Sequence, residues 1–479
     1  MQHYRHFYIN GEWVAPLNPR EAEVINPATE LAFATIALGG ADDVDAAVRA
    51  AQAALPSYSR TSVAERIALF ERIIAVFLKR EGELRDAATQ EMGAPRGLSV
   101  ITDAALDAFK QAITTLGHYR FEEQKDGYLL RREPIGVCGL ITAWNWPVQI
   151  LSNKVSSALA AGCTVVAKPS EYTPLTALKL AEILHEAGVP KGVFNLVMGD
   201  GPTVGHAISS HPGIDMVSIT GSTRAGVQVA QDAAPTVKRV CQELGGKSAN
   251  IVLPDADLQA AARWNIGRGF TNSGQSCHAP TRILVHKDQV DTFVELLVAE
   301  ARKVVVGDPA AATTTMGPVV NRTQFERVQG YIQKGMDEGA HLACGGPGRP
   351  AHLERGYFIR PTVFRDVTSG MSIAREEIFG PVLSVMAYET EDEAVRIAND
   401  SAYGLGAYLF TKDPAKAYSV GTRLQAGRVF LNGTPGSTAA PMGGYKQSGN
   451  GREMGQFGLE EYLEAKAMFG YADHRPSNP

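Results

Sequence analysis

Cys277 is the residue whose type and surroundings most readily support covalent chemistry. It lies in NSGQSCHAPTR, a run of small and polar residues between a predicted helix and a predicted strand, which indicates a loop. A thiolate on a loop can attack a carbonyl carbon. Composition alone favours a buried, inert thiol, because free cysteines are usually buried. The adjacent His278 is a weak candidate partner, since neighbouring side chains usually diverge.

Two further polar side chains follow predicted strands. Glu243, in QELGGKSANIVL, ends an apolar strand. In a water-poor cleft its pKa would rise, which would suit it to activate water, although a solvated loop glutamate is an equally good interpretation. Asn145, in ITAWNWPVQ, precedes a helix predicted to begin near Pro147, and could simply cap it. Its amide could instead donate to an oxyanion formed by thiolate attack on an aldehyde.

Two segments are candidates for binding phosphate. KPSEYTP follows the predicted strand CTVVA, and TGSTRAG follows the strand IDMVSI and should begin a helix near Thr223. Open α/β sheets bind ligands at such strand ends, where helix N-termini stabilise phosphate charge. Turn chemistry alone could also explain these glycines. Gly199, Gly201 and Gly205 do not fit GxGxxG, so the usual dinucleotide fingerprint is absent.

The elements that must position these residues follow from hydrophobic periodicity. Helical spacing from Asp42 to about Arg120 gives way to short apolar runs that alternate with amphipathic stretches, which predicts a parallel sheet with helices on both faces. The alternation resumes after Gly246 as a second α/β unit. Its predicted elements are helix Leu258–Phe270, strand Arg282–His286, helix Gln289–Val304 and strands Val382–Tyr388 and Arg428–Leu431. Residues 127–133 predict a hairpin or extension that could mediate subunit contact.

Composition restricts the class of protein. A chain of 479 residues, 44% apolar and 20% charged, predicts a globular protein of two or three units. Its formal charge of -5, without blocks of like charge, argues against nucleic acid or membrane partners and for small molecules. The absence of a secretory signal and the five scattered cysteines predict a cytoplasmic protein with reduced thiols. The polar segment 472–479 is predicted to be disordered.

Taken together, these motifs resemble the aldehyde dehydrogenase superfamily, in its hydrolytic, NAD(P)-dependent form, from about Ile9 to about Leu463. The segments that carry the resemblance, in the family's order, are ITAWNWP, KPSE, TGSTRAG, ELGGKSANIV, NSGQSCHAPTR, EEIFGPV and GGYKQSGNGRE. The resemblance implies a Rossmann-like cofactor domain in residues 1–120 and 134–245 and an α/β catalytic domain in 246–445. It also implies a small β oligomerisation element in 121–133 and 446–479, and a homodimer or homotetramer.

The resemblance also implies roles for individual residues. Cys277 would be the nucleophile, Glu243 the general base, and Asn145 with the backbone amide of Cys277 the oxyanion hole, while Lys154 and Glu453 would support the active site. The residues expected to bind the cofactor are Thr142, Trp144, Lys168, Ser170, Glu171, Gly201, Gly205, Gly221, Ser222, Leu244, Glu377 and Phe379. A carboxylate at Glu171 would repel a ribose 2′-phosphate, so NAD is expected, with NADP possible. No metal is expected, because the cofactor carries the redox chemistry.

The expected substrate is an aldehyde, and the residues expected near it are Trp146, Ile150, Asn153, Ser276, His278 and Met442. Four of them, Asn153, Ser276, His278 and Met442, depart from common relatives, whereas Trp146 and Ile150 would add apolar wall. The loop GTPGSTAAPM carries no charge, which favours a neutral apolar or aromatic aldehyde. The alternatives are a semialdehyde dehydrogenase, a CoA-acylating dehydrogenase, against which Glu243 argues, and a non-catalytic binding protein of the same fold. A cofactor-independent thiol hydrolase would leave KPSE and TGSTRAG without a purpose.

Overall fold

The computed structural model describes residues 1–471, which form 20 strands and 14 α-helices. The strands are β1 (Gln2–Tyr4), β2 (Phe7–Ile9), β3 (Glu12–Val14), β4 (Arg20–Asn26), β5 (Leu31–Leu38), β6 (Glu122–Lys125), β7 (Tyr128–Pro134), β8 (Val137–Ile141), β9 (Thr164–Lys168), β10 (Phe194–Leu196), β11 (Met216–Thr220), β12 (Arg239–Glu243), β13 (Ala249–Val252), β14 (Arg282–His286), β15 (His341–Cys344), β16 (Thr362–Arg365), β17 (Val382–Tyr388), β18 (Gly406–Phe410), β19 (Arg428–Leu431) and β20 (Leu463–Phe469). The helices are α1 (Ala41–Tyr58), α2 (Val63–Met92), α3 (Val100–His118), α4 (Pro147–Ala161), α5 (Pro174–Glu186), α6 (His206–Ser210), α7 (Thr223–Ala233), α8 (Leu258–Phe270), α9 (Val290–Ala301), α10 (Arg322–Asp337), α11 (Ser372–Arg375), α12 (Glu391–Asn399), α13 (Pro414–Gly421) and α14 (Gly455–Glu461).

The first large sheet has the strand order β12-β11-β8-β9-β10-β2-β3, and its first five strands are parallel. Strands β8 and β9 are buried along their whole length because helices cover both faces, as the apolar runs predicted. In chain order, the five parallel strands run outwards from β8 on one side and then on the other. The order in which strands are added to the sheet therefore reverses between β8 and β11. The crevice beyond the carboxyl ends of these two strands is where such sheets bind ligands.

The second large sheet has the order β15-β16-β17-β14-β13-β18-β19, with only β15 antiparallel to its neighbour. The predicted bounds of α8, β14, β17 and β19 are confirmed. The predicted helix Gln289–Val304 is shorter in the structure, because α9 ends at Ala301. The amides of Lys303 and Val304 bond only three residues back, to Glu300 and Ala301, so the last turn tightens and the helix ends.

Two three-stranded sheets complete the structure. One joins β1, β5 and β4 in the N-terminal segment, where no strand was predicted, and the other has the order β20-β7-β6. The predicted extension at residues 127–133 is thus β7, outside both large sheets. The functions assigned to residues 1–120 with 134–245, to 246–445, and to 121–133 with 446–479 stay predictions.

The fold is α/β, with parallel sheets and helices, as expected. Within residues 1–471, no helix is both long and apolar enough to cross a bilayer. The segment 472–479, predicted to be disordered, lies outside the described residues. Five residues, 244–248, join the carboxyl end of β12 in the first large sheet to the start of β13 in the second. The candidate chemistry lies at this junction.

Candidate active site

The loop that carries Cys277 begins with three residues in the left-handed region. Asn272, Ser273 and Gly274 have φ values of 52°, 57° and 72°. A Cβ atom at Gly274 would lie 2.2 Å from the carbonyl oxygen of Gly380, so only glycine fits there. The side chain of Gln275 bonds Asn272 O at 3.0 Å and accepts from Val320 N at 2.9 Å. The packing of neighbouring segments therefore fixes the unusual backbone before the thiol.

Cys277 is partly exposed as a whole residue, whereas its thiol is buried. Burial raises the pKa of its thiol to about 12, and the negative charges of Glu243 and Glu377 act in the same direction. The thiol therefore needs a local donor or cation to ionise near neutral pH.

Two glycines bring the strand that carries Glu243 against this loop. A Cβ at Gly246 would lie 2.3 Å from Cys277 O, and a Cβ at Gly245 would lie 2.4 Å from an oxygen of Glu377. The amide of Gly246 also donates to Glu377 Oε1 at 3.0 Å. The double glycine in ELGGK thus allows the end of β12, the thiol loop and Glu377 to meet.

Glu243 is buried at the end of β12, and neither oxygen of its carboxylate has a hydrogen-bond partner within residues 1–471. Burial raises its pKa well above the ordinary value, and the charge of Glu453 raises it further, while Lys154 opposes both effects. A carboxylate with these properties is matched to accept a proton from water near neutral pH.

Lys154 and Glu453 form a buried ion pair beside Glu243. The Lys154 ammonium contacts Glu453 Oε1 and donates to Ser218 Oγ at 2.8 Å. Glu453 exchanges two backbone hydrogen bonds with Met442, at 2.7 and 2.8 Å. The structure therefore brings four of the expected site residues together: Lys154, Glu243, Met442 and Glu453.

Asn145 approaches the thiol loop from the first sheet. Its Nδ2 atom donates to Gln275 O at 3.1 Å, and its backbone carbonyl oxygen accepts from Asn272 Nδ2 at 2.7 Å. Helix α4 begins at Pro147 with Trp146, not Asn145, as its N-cap, and among the described residues the Asn145 side chain bonds Gln275 O rather than an amide of α4. Trp146 Nε1 also donates to Ser276 Oγ at 3.2 Å.

His278 lies nearer to the thiol than the sequence analysis expected. Its Nδ1 atom is 3.6 Å from Cys277 Sγ, so the expectation that these neighbouring side chains diverge is wrong. The Arg268 guanidinium contacts Nε2 on the other edge of the ring. This approach depends on tertiary contacts to both residues, which adjacency in sequence does not reveal.

The end of β9 forms the first part of the expected cofactor site. Lys168 Nζ lies 3.3 Å from Glu171 Oε2, and Thr142 N donates to Lys168 O at 3.0 Å. Ser170 is buried, and its hydroxyl accepts from Tyr172 N at 3.3 Å. An ammonium and a carboxylate are therefore side by side at the carboxyl edge of the first sheet.

The second part is the start of α7, where Ser222 caps the helix by accepting from Ala225 N at 3.2 Å. Gly221 N donates to Glu243 O at 3.0 Å, and Leu244 packs closely on Gly226. This helix N-terminus lies at the end of β11, beside the point where the strand order of the first sheet reverses. Its backbone amides can hold an anion.

Gly201 and Gly205 bound a one-turn π-helix whose N-cap is Asp200. The Asp200 carboxylate accepts from Thr203 N at 2.7 Å. A Cβ at Gly201 would meet no atom within 4 Å, in the part of the chain described, so close packing does not explain this glycine.

Glu377, Phe379 and Trp144 lie near the junction of the two sheets. Burial raises the pKa of Glu377 to about 7. Phe379 has a left-handed φ of 63°, and Gln324 Nε2 donates to its carbonyl at 2.7 Å. The rings of Trp144 and Phe379 meet edge to face, with centroids 5.2 Å apart.

The remaining expected substrate residues line α4. Ile150 and Asn153 are buried, and Asn153 borders a small cavity between α3, α4 and α14. Within residues 1–471, Asn153 Oδ1 has no hydrogen-bond partner, so it can accept one from a molecule in the cavity.

Several residues that shape the site were not predicted from the sequence. Arg268, Lys247 and Tyr408 were not singled out, although Lys247 lies in the ELGGK motif. Burial lowers the pKa of Lys247 to about 7. Tyr408 Oη donates to His278 O at 2.6 Å. The motif was a signal for Lys247, whereas Arg268 and Tyr408 lie in an ordinary helix and strand.

Comparison with known proteins gives consistent matches over almost the whole chain. A family model described as the aldehyde dehydrogenase family matches residues 13–468. A 3-succinoylsemialdehyde-pyridine dehydrogenase from a Pseudomonas species is 52% identical, over 98% of this chain and 99% of the relative. Aldehyde dehydrogenase C from Pseudomonas syringae, a cysteine-to-alanine mutant in complex with NAD+ and octanal, is 52% identical, with a TM-score of 0.97 over 98% of both chains. An aldehyde dehydrogenase from Mycobacterium tuberculosis, in complex with NAD+, is 38% identical, with a TM-score of 0.95 over 98% of this chain and 99% of that one.

Proposed function

The chain belongs to the aldehyde dehydrogenase family, and from its site we propose that it oxidises an aldehyde to the carboxylic acid, with NAD as the cofactor. One observation carries the assignment of roles. Gly246 allows the segment after β12 to touch the Cys277 loop, so a carboxylate with unpaired oxygens lies close enough to the nucleophile for its charge to raise the thiol pKa.

Acylation begins when Cys277 Sγ attacks the aldehyde carbon and the carbonyl oxygen becomes an oxyanion. One hydrogen of Asn145 Nδ2 donates to Gln275 O, which leaves the second for the oxyanion, together with the backbone amide of Cys277. Bound NAD would supply the acceptor for the hydride that leaves this carbon, and Cys277 would then carry the acyl group as a thioester.

Deacylation needs a water molecule that has lost a proton. Glu243 takes that proton, because its buried carboxylate has a raised pKa and two unpaired oxygens. The hydroxide attacks the thioester carbon, the C–S bond breaks, and the acid leaves. The ion pair between Lys154 and Glu453 places one positive and one negative charge beside Glu243.

The residues at the carboxyl edge of the first sheet fit a dinucleotide. Lys168 and Glu171 can bond the ribose hydroxyls, and the amides at the start of α7 can hold the pyrophosphate. Glu377 and Phe379 would position the nicotinamide end. The Glu171 carboxylate would repel a 2′-phosphate, which favours NAD over NADP.

For the substrate we propose a neutral apolar or aromatic aldehyde. The side chains of residues 433–442 are uncharged, and Trp146 and Ile150 add buried apolar surface. The octanal bound by the Pseudomonas syringae relative supports this choice. The semialdehyde named for the Pseudomonas relative keeps a semialdehyde as the second candidate.

An aldehyde panel with the purified protein tests the proposal. NADH formation is followed with octanal, benzaldehyde and succinic semialdehyde, with NAD or NADP, and with or without CoA. We expect CoA-independent NADH formation that is fastest with octanal or benzaldehyde, and none with Cys277→Ser. A requirement for CoA, or faster turnover of succinic semialdehyde, would contradict the reaction or the substrate class, respectively.

Assembly and location are proposed on the same basis. We infer a homodimer or homotetramer in which β6, β7 and β20 contribute to subunit contact, because Phe469 on the edge strand β20 is 78% exposed. A cytoplasmic location remains an inference from the sequence. Sedimentation of the wild type and of Phe469→Glu tests the contact.

A further inference from the structure

The His278 ring is fixed in position beside the nucleophile. Its Nδ1 atom is 3.6 Å from Cys277 Sγ, a separation that an N–H···S hydrogen bond spans. Its backbone is held by Tyr408, whose hydroxyl donates to His278 O at 2.6 Å. Tyr408 in turn packs against Trp264 and Phe430, with ring centroids 4.9 and 5.0 Å apart. The imidazole therefore faces the thiol as part of a packed structure.

The opposite edge of the ring determines which nitrogen carries the proton. The Arg268 guanidinium contacts Nε2, and a guanidinium can only donate hydrogen bonds. Nε2 must therefore be the acceptor. A neutral imidazole has one N–H group, so the hydrogen is on Nδ1 and points towards Cys277 Sγ.

The charges around the ring keep it neutral. Burial and the positive charges of Arg268, on α8, and Arg428, on β19, lower the pKa of His278 well below its ordinary value. The other titratable groups that face the pair are Glu243, Glu377 and Tyr408, and the two carboxylates disfavour ionisation of the thiol. A neutral ring near these two positive charges cannot accept a further proton easily, but it can donate the one it has.

We propose that His278 is a catalytic hydrogen-bond donor whose Nδ1–H stabilises the thiolate of Cys277, with Arg268 as the positioning residue that fixes the tautomer. On ionisation the thiol proton leaves to solvent water, and the imidazole keeps its own proton throughout. This rests on the proposed function only in taking Cys277 as the nucleophile. It differs from a thiol–imidazole dyad, in which the ring would accept the thiol proton.

The pH dependence of Cys277 alkylation tests the proposal without aldehyde or cofactor. Iodoacetamide reacts with the thiolate, and mass spectrometry of the Cys277 peptide gives its rate against pH. His278→Ala should raise the apparent pKa of the thiol by at least about one unit, or slow alkylation about tenfold at a fixed pH below that pKa. His278→Asn places an amide N–H near the position of Nδ1 and should restore at least half of the shift.

A double-mutant cycle tests the role of Arg268. Arg268→Met should raise the apparent thiol pKa in the wild type, and should raise it less in the His278→Ala background, because its effect through the ring is then lost. Equal effects in the two backgrounds would show that Arg268 acts only as a nearby charge. If His278→Ala does not fold, His278→Phe fills the same space without a donor.

The outcomes are distinguishable. An unchanged pH profile of alkylation in His278→Ala would overturn the proposal. Equal shifts of the thiol pKa in the Ala and Asn variants would also contradict it, and would mean that His278 acts as a base rather than as a hydrogen-bond donor. Neither result affects the proposed function, which is judged by NADH formation in the wild type. Conversely, if the wild type formed no NADH, the pH dependence of Cys277 alkylation could still be interpreted, because that experiment uses neither aldehyde nor cofactor.

Discussion

Gly246 and Cys277 are in direct contact, and the space between them holds no side chain: a Cβ at Gly246 would lie 2.3 Å from Cys277 O. Gly246 is three residues beyond Glu243, and its amide also bonds Glu377. One small residue thus sets the distance between the candidate base, the nucleophile loop and the second carboxylate.

Gly246→Ala should reduce kcat at least about tenfold, because the added methyl group must push the Cys277 backbone and its oxyanion-binding amide out of position. Steady-state NADH formation with octanal measures the loss. Gly267→Ala is the matched control, since a Cβ at this exposed position on α8 meets no described atom within 4 Å. A similar loss of kcat in both variants would mean that the close contact between Gly246 and Cys277 is not the cause.

Glu243→Gln should form one equivalent of NADH quickly and then turn over slowly. The amide cannot take a proton from water, so deacylation becomes slow while acylation stays fast. Stopped-flow absorbance records the burst, and intact-mass spectrometry detects the acyl group on Cys277. Unchanged steady-state turnover would remove Glu243 from the role of base.

Glu453→Gln should shift the acidic limb of the kcat profile to lower pH. The negative charge of Glu453 raises the pKa of Glu243, so its removal lowers that pKa and leaves Glu243 ionised at more acidic pH. If Lys154 lost its proton in the variant, the loss of its positive charge would oppose this shift, but Glu453 has the larger effect on the pKa of Glu243, so the sign stays the same. Turnover with saturating aldehyde and NAD between pH 5 and 9 measures the limb.

The exposed ion pair between Arg5 and Glu21 supplies the control, since Glu21→Gln removes one negative charge far along the chain. Its profile should match that of the wild type. A limb that moves to higher pH in Glu453→Gln would mean that another group sets it.

Much of the fold could be predicted because local rules and tertiary packing agree. The helix Leu258–Phe270 has an apolar stripe and Asp257 at its N-cap, where the carboxylate accepts from Ala260 N at 3.0 Å. The strands β17 and β19 are short apolar runs between turns, so their bounds follow from the sequence. The resemblance to a family added the roles of distant motifs, which periodicity cannot supply.

The rest depends on contacts that the sequence does not encode locally. The left-handed Asn272 and Ser273 are followed by Gly274, which packs against Gly380, and by Gln275, which accepts from Val320 N, and nothing in NSG alone requires that conformation. The approach of His278 to Cys277 depends on Arg268 and Tyr408, from α8 and β18. The site was therefore predictable in its motifs but not in its hydrogen bonds.

Glu91→Gln should destabilise the protein and weaken NAD binding, because this carboxylate on α2 caps a different helix. Its oxygens accept from Leu175 N at 2.6 Å and from Thr176 N and Oγ1 at 3.0 and 2.7 Å, while the N-cap residue Thr173 makes no cap bond of its own. An amide NH2 would face one of these donors, and the lost bond costs about 1–3 kcal/mol. Because the loop before α5 carries Glu171 and follows Lys168 at the end of β9, its loosening should also raise the Kd for NAD. Thermal melts and NAD titrations compare this variant with Glu71→Gln, on the exposed face of the same helix, and equal melting temperatures would refute the capping role.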